Sequence, residues 1–247
     1  METGRVIMAN NRDLSACKYL AIGGGNFRQD GWINLDYPFE RRAGKQHPVI
    51  DVEHNLMSMD PLPFPDNKFE IVYSEHCIEH LTEVAAKWTI QECYRILQPG
   101  GVLRISCPDA EKLFGFYKAG DFEKLITGKQ GRDRSPEYNL VDLLYSPMTE
   151  LFDNEKYVLE YVIKKISTLE ELADKLEANH ISLWDKEKNP GWHLSTWTHF
   201  KIIEYMQCHG FPNTTRYNIG VSTMKELAKP YIDRTAPEIS LHVEGTK

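Results

Sequence analysis

The segment from Leu62 to Asp109 constrains the fold more than any other part of the chain. It reads LPFPDNKFEIVYS, EHCIEHL, ECYRILQPGG and VLRISCPD. Ile71–Tyr73 and Val102–Ser106 are short continuous apolar runs of the kind buried in a sheet. Between them Thr82 is a suitable N-cap, and Ala86, Ile90, Cys93 and Leu97 recur at helical spacing until Pro99-Gly100-Gly101 stops the helix. A strand, a helix and a second strand in that order predict parallel pairing with a right-handed crossover.

Similar runs lie upstream at Tyr19–Ile22, Trp32–Leu35 and Val49–Val52. The first leads into Gly23-Gly24-Gly25, and the second closes on Asp36. In an open parallel sheet, ligands bind beyond the carboxyl ends of the strands, where the strand order reverses. Glycines there let bare backbone approach a ligand, and a carboxylate ending the next strand can accept both hydroxyls of a ribose. Gly23 and Gly25 satisfy the first two glycines of a dinucleotide fingerprint. Arg28 occupies the third, and the stretch to Trp32 is too short for a helix. A nicotinamide dinucleotide is therefore disfavoured.

These motifs together resemble the class I, Rossmann-like S-adenosylmethionine-dependent methyltransferases, and within them the type 11 group. The likeness covers Tyr19 to Asp109 and weakens through Trp197–Phe211. It implies an α/β fold, a doubly wound and mostly parallel sheet, with S-adenosylmethionine as cofactor. It also implies that Gly23, Gly24 and Gly25 wrap the methionine part, Asp36 holds the ribose, and Asn55 and Leu56 lie beside the adenine. Ser74, Glu75 and His76 would line the cleft near the sulfonium. The group usually has Asp where this chain has Asn55; an amide oxygen can still accept from the adenine amino group.

Methyl transfer needs a base only when the acceptor atom carries a proton. His80 is the first candidate and His76 the second, with Glu79 orienting an imidazole. Asp109 is a further candidate on the same rim. In this group the Glu-His pair also serves to cap the following helix, and that structural role is the stronger expectation. His76 to His80 spells H-x-x-E-H, a zinc motif when it lies inside a long helix. Here it follows a buried strand directly, so no resident metal is expected. A metal-assisted variant would recruit His193 or His199.

One domain spanning 1–247 is expected, with a cofactor core at 17–109, a helical insertion or lid at 110–195, and a C-terminal helix with edge strands at 196–247. In the insertion, Ser167-Thr168-Leu169-Glu170-Glu171 is a doubled capping box opening a helix to Leu176, and Tyr157, Tyr161 and Ile166 mark another helix. Phe114, Phe116, Tyr117, Tyr138, Tyr145, Trp184 and Trp192 are an aromatic set able to cover the cleft, although most are expected simply to pack the insertion. Gly128–Pro136 is a charged loop. A helix from Thr198, with Phe200, Ile203 and Met206 on its apolar face, ends at Gly210. Tyr217, Ile219 and Val221, then Ile239, Leu241 and Val243, alternate with polar residues as half-exposed strands do, predicting an antiparallel edge hairpin.

The net charge of −7 and the lack of a basic stripe argue against duplex nucleic acid as partner. No apolar run is long enough for a membrane span, and the first thirteen residues carry no secretory pattern. The five scattered cysteines suit a reducing compartment, so a cytoplasmic location is expected. The reading is methyl transfer to a small-molecule acceptor, such as a sugar or glycan precursor. The alternatives are a nucleic-acid methyltransferase, a nucleotide-dependent oxidoreductase, and a module that binds the cofactor without turnover.

Overall fold

A computed structural model describes residues 13–38, 50–126, 134–146, 163–177 and 191–247. Seven strands form one sheet: β1 (Tyr19–Ile22), β2 (Trp32–Asp36), β3 (Val52–Glu53), β4 (Phe69–Glu75), β5 (Leu97–Pro108), β6 (Asn213–Arg216) and β7 (Ser240–Thr246). Their order is β3-β2-β1-β4-β5-β7-β6. The first five pair in parallel, and β7 runs antiparallel to both β5 and β6. The expected mostly parallel α/β sheet with an antiparallel edge hairpin is present.

Side chains alternate between two apolar faces, as the pleat requires. Leu20, Ile22, Ile33, Leu35, Val72, Leu103 and Ile105 face one cluster. That cluster is completed by helix α1 (Glu83–Ile96) through Ala86, Ile90 and Cys93. Ala21, Trp32, Ile71, Tyr73 and Val102 face the other side, where Leu227 and Ile232 cover them. Thr82 caps α1, its Oγ1 accepting from the Ala85 amide at 3.3 Å. The helix stops at Ile96, three residues before the Pro-Gly-Gly turn. Leu97 is already extended and pairs with Phe69, because burial in the sheet outweighs one more helical turn.

A separate apolar cluster joins α2 (Ala110–Ala119), α3 (Pro136–Tyr145) and α4 (Leu169–Glu177). Thr168 caps α4 by accepting from the Glu171 amide, while Glu171 reaches back to the Ser167 amide. Phe114 is buried in this cluster, and Phe116, Tyr117, Tyr138 and Tyr145 pack against it. These aromatics thus pack with the cluster of α2, α3 and α4. The helix expected around Tyr157 and Tyr161, Trp184, and most of the 128–136 loop lie outside the described residues.

Three local expectations are corrected. In α5 (His199–Cys208), Thr198 is the N-cap, but Phe200 is 65% exposed and the buried face is Ile202 and Met206. Tyr217, Ile219 and Val221 are not a strand: β6 ends at Arg216, and a turn with Gly220 at φ +69° closes on the Val221 amide. β7 is buried on both faces rather than half-exposed. Its polar members do not face water, because Glu244 meets the guanidinium of Arg104, and His242 lies 3.3 Å from Asp233. Among the described residues, no helix is long and apolar enough to cross a membrane.

Candidate functional site

The strand order reverses between β1 and β4, which makes their carboxyl ends the place for a ligand. A cavity of about 400 Å³ opens there. Its walls are the β1 exit from Ala21 through Phe27, the β4 end at Tyr73, Glu75 and His76, and two residues from elsewhere, His80 and Thr235.

The glycine bend owes its shape to close packing on two sides. Gly23 has φ +64°, and a Cβ on it would lie 2.4 Å from Cys77 Sγ. Gly25 has φ +54° but nothing within 4 Å of where a Cβ would point. The Gly23 amide donates to the Leu35 carbonyl at 2.8 Å, and the Gly25 amide donates to Asp36 Oδ2 at 2.8 Å. Asn34 Nδ2 donates to the Gly25 carbonyl at 2.9 Å. The bend is therefore tied to β2 along three consecutive residues, and Asp36 is tied in turn by the Tyr37 amide on Oδ1 at 2.7 Å.

This predicts unequal costs for two similar substitutions. Gly23→Ala adds a left-handed alanine and a clash with Cys77, about 2–3 kcal/mol of lost stability in urea unfolding. Gly25→Ala, with open space around it, costs about 1 kcal/mol from backbone conformation alone. Equal losses at the two positions would contradict this account of the bend.

Of the residues expected at the cofactor site, Gly23, Gly24, Gly25 and Glu75 are in the cavity walls. Asp36 stands behind the bend and orients it. Asn55, Leu56 and Ser74 are not among the walls. Asn55 Oδ1 caps a short 3-10 turn by accepting from Met57 N at 3.0 Å, and Leu56 belongs to the sheet's apolar cluster. The Ser74 hydroxyl is buried.

Both candidate bases, His76 and His80, line the cavity. His76 sits at φ +47° with both ring nitrogens engaged: Nε2 is 2.7 Å from Ser240 Oγ, and Nδ1 is 3.0 Å from Glu79 Oε1. Burial alone would lower the His76 pKa, but Glu79 and Glu75 outweigh it and raise it. Burial likewise pushes Glu79 up, and His76, His80 and His193 overcome this to hold it at about 2. His80 Nδ1 faces the Trp192 carbonyl at 3.0 Å. Glu79 is 1% exposed, and its own carbonyl accepts from the Leu194 amide at 2.6 Å. Segment 192–195 is thereby stapled onto the turn that carries Glu79 and His80.

Asp109, the further candidate base, is not among the cavity walls. It caps α2 through Lys112 N and pairs with Arg216 Nη2 at 2.7 Å. His199 pairs with Glu111 and is not part of the group formed by Glu79 and His80. His193 does join them: ligand atoms of Glu79, His80 and His193 lie within 4.8 Å of one another.

Sequence reasoning missed Asn26, Phe27, Tyr73 and Thr235 in the walls. Phe27 stands two residues after the glycines, and Tyr73 alternates to the face opposite Val72; both signals were readable. Thr235 has no local signal, because it arrives from 160 residues away, where its amide donates to Glu75 Oε1 at 2.7 Å.

A family model described as "Methyltransferase domain" matches residues 33–105. A probable S-adenosylmethionine-dependent methyltransferase of Mycolicibacterium smegmatis is 29% identical over 131 residues, covering 52% of this chain and 44% of that protein. The ubiquinone/menaquinone biosynthesis C-methyltransferase UbiE of Salmonella arizonae is 30% identical over 127 residues, covering 50% and 42%. The chain thus spans less than half the length of these curated relatives. A solved S-adenosylmethionine-dependent methyltransferase from Archaeoglobus fulgidus superposes with TM-score 0.45 at 12% identity, covering 95% of this chain and 88% of that one.

Proposed function

We propose, for a chain whose residues 33–105 match a methyltransferase-domain family model and which resembles S-adenosylmethionine-dependent methyltransferases, that it transfers a methyl group from that cofactor to a small-molecule acceptor. The observation that carries the reading is the cavity at the β1–β4 switch, walled by the glycine bend that the 2.8 Å bond from the Gly25 amide ties to the carboxylate closing β2, Asp36.

Open space around Gly25 suits an amino-acid tail lying against bare backbone. In this reading Gly23, Gly24 and Gly25 hold that tail, Asp36 holds the ribose, and Asn55 and Leu56 stand on the adenine side. Ser74 and Glu75 belong to the strand end near the reacting centre. The bound cofactor supplies a methyl group on a cationic sulfur. Phe27 and Tyr73 give the cavity aromatic faces, and Glu75 adds a carboxylate, both suited to a cation. The protein's remaining work is to hold the acceptor atom in line with the methyl and to take its proton where it has one. Proton removal falls to the His76, Glu79 and His80 group.

A hydroxyl on a sugar or glycan precursor is the first acceptor class to test. A carbon acid is the second, because one relative is named a C-methyltransferase. Both lose a proton, so both suit a cavity bordered by two imidazoles. Calorimetry on the purified chain is expected to show binding of S-adenosylmethionine and of S-adenosylhomocysteine. Binding of neither at millimolar concentration refutes the proposal, and a thermal shift with nicotinamide dinucleotides alone transfers it to an oxidoreductase. Screening acceptors with a labelled methyl donor then separates the two acceptor classes.

A further inference from the structure

We infer that Glu79, His80 and His193 form a three-ligand site for a borderline divalent transition ion, zinc first, set in the cavity's flank. Three independent features of the cluster support it.

The first is spacing. The three ligand atoms lie within 4.8 Å of one another. Bonds of about 2.0–2.2 Å place two ligands of one ion about 3–4 Å apart, so the cluster closes on an ion by movements of about 1 Å or less. The second is orientation of the rings. His80 Nδ1 faces the Trp192 carbonyl at 3.0 Å, and His193 Nδ1 faces the Leu143 carbonyl at 2.6 Å. A carbonyl only accepts, so each Nδ1 carries the hydrogen and each Nε2 carries the lone pair. That is the tautomer and the outer support found around metal-binding histidines. The rings stand 4.8 Å apart and nearly edge to face.

The third is the state of Glu79. Its side chain is enclosed, and among the described residues neither carboxylate oxygen is met by a hydrogen bond of proper geometry. His76 Nδ1, 3.0 Å from Oε1, makes an ion pair when protonated and orients the group. With His76 on Oε1 alone, a buried carboxylate with so little hydrogen bonding leaves room for further positive charge beside it, which a metal ion supplies. The backbone is already fixed for this purpose. The Glu79 carbonyl holds the Leu194 amide, Ser195 Oγ donates to the Ile78 or Leu81 carbonyl, and the His193 amide donates to Ser146 Oγ at 2.9 Å.

Two imidazoles and one carboxylate favour zinc or its neighbours and disfavour magnesium and calcium, which take oxygen ligands. Three protein ligands leave a coordination position open. His80 belongs both to this cluster and to the cavity wall. An oxygen of the acceptor is the group such an open position would take; that part of the inference rests on the methyl-transfer reading, whereas the ion site does not. His80 then acts as a ligand in place of a general base.

The test uses the full chain stripped with a chelator and titrated with Zn²⁺ by competition and with Co²⁺ by absorption. One ion per chain is expected, with affinity falling about 100-fold or more in both Glu79→Gln and His193→Ala. No binding at micromolar metal, or undiminished binding in variants that melt cooperatively, overturns the site. Should the variants fail to fold, X-ray absorption on the zinc-loaded native chain decides: two imidazoles are expected, and any other imidazole count or a sulfur ligand overturns it. S-adenosylhomocysteine binding is measured in parallel. Cofactor binding without metal binding sinks this site alone, and metal binding without cofactor binding sinks the methyl-transfer reading alone.

Discussion

Asp36→Ala is expected to weaken S-adenosylhomocysteine binding roughly 100-fold in calorimetry, a loss of about 3 kcal/mol. Two ribose hydroxyls would lose a charged acceptor, and hydrogen bonds to charged groups contribute about 1.5–3 kcal/mol each, without adding in full. The same carboxylate also anchors the Gly25 amide at 2.8 Å, so the substitution loosens the glycine bend as well. Asp36→Asn separates the two effects. Its amide oxygen can still accept from Gly25, while the charge is gone, so an intermediate affinity is expected with a melting temperature close to that of the unaltered chain. Unchanged affinity in Asp36→Ala would move the ribose elsewhere, and with it the proposed seat of the cofactor.

Arg104→Ala is expected to cost about 3–5 kcal/mol in urea unfolding, because it strands buried carboxylates without their counter-charge. Arg104 lies in the middle of β5 and is fully enclosed. Its guanidinium binds Asp233 through Nε and Nη2, and Glu244 and the Val221 carbonyl through Nη1. Burial opposes charge on both partners, yet the pairing raises the Arg104 pKa, and His242 and Arg104 together lower that of Asp233. The cluster clamps segment 221–233 over the sheet face formed by Ala21, Ile71 and Tyr73, two residues before Thr235 enters the cavity wall. The cost has a definite pH dependence. Asp233 is depressed in the folded chain, so its contribution is present above the ordinary carboxylate range and is lost as pH falls. The difference between native chain and variant should therefore shrink in acid. A loss under about 1 kcal/mol at neutral pH would mean that water reaches the cluster. Replacing Arg104, Asp233 and Glu244 together by apolar residues of similar volume should recover much of the stability, since no charge is then left buried alone.

Much of the fold was legible because its signals are local. Tyr19–Ile22 and Trp32 onward are strands, as their apolar runs indicate, and Thr82, Thr168 and Thr198 cap the helices they precede. Where the pattern misled, a distant partner was responsible. Alternation of Ile239, Leu241 and Val243 with polar residues implied a wet face, but that face meets Arg104 from β5. Alternation in Tyr217–Val221 implied a strand, but Gly220 turns the chain there. The H-x-x-E-H spacing drew attention to His76, Glu79 and His80 for the wrong geometry. His76 pairs with Glu79 instead of joining the ligand cluster, and His193 takes the remaining place.

The order of strand, glycines, strand and carboxylate, followed by the Leu-Pro-Phe to Pro-Gly-Gly block, was sufficient to specify a parallel sheet with a ligand crevice at its switch point. Periodicity, capping and turn chemistry act over about ten residues, and one chain carries them in full. The sequence could not declare that Arg104 meets Asp233 across 129 residues, or that segment 192–195 docks on the turn at Glu79. Those pairings follow from how separate elements stack. A buried charge or an imidazole acquires its role only from the neighbours that packing brings to it.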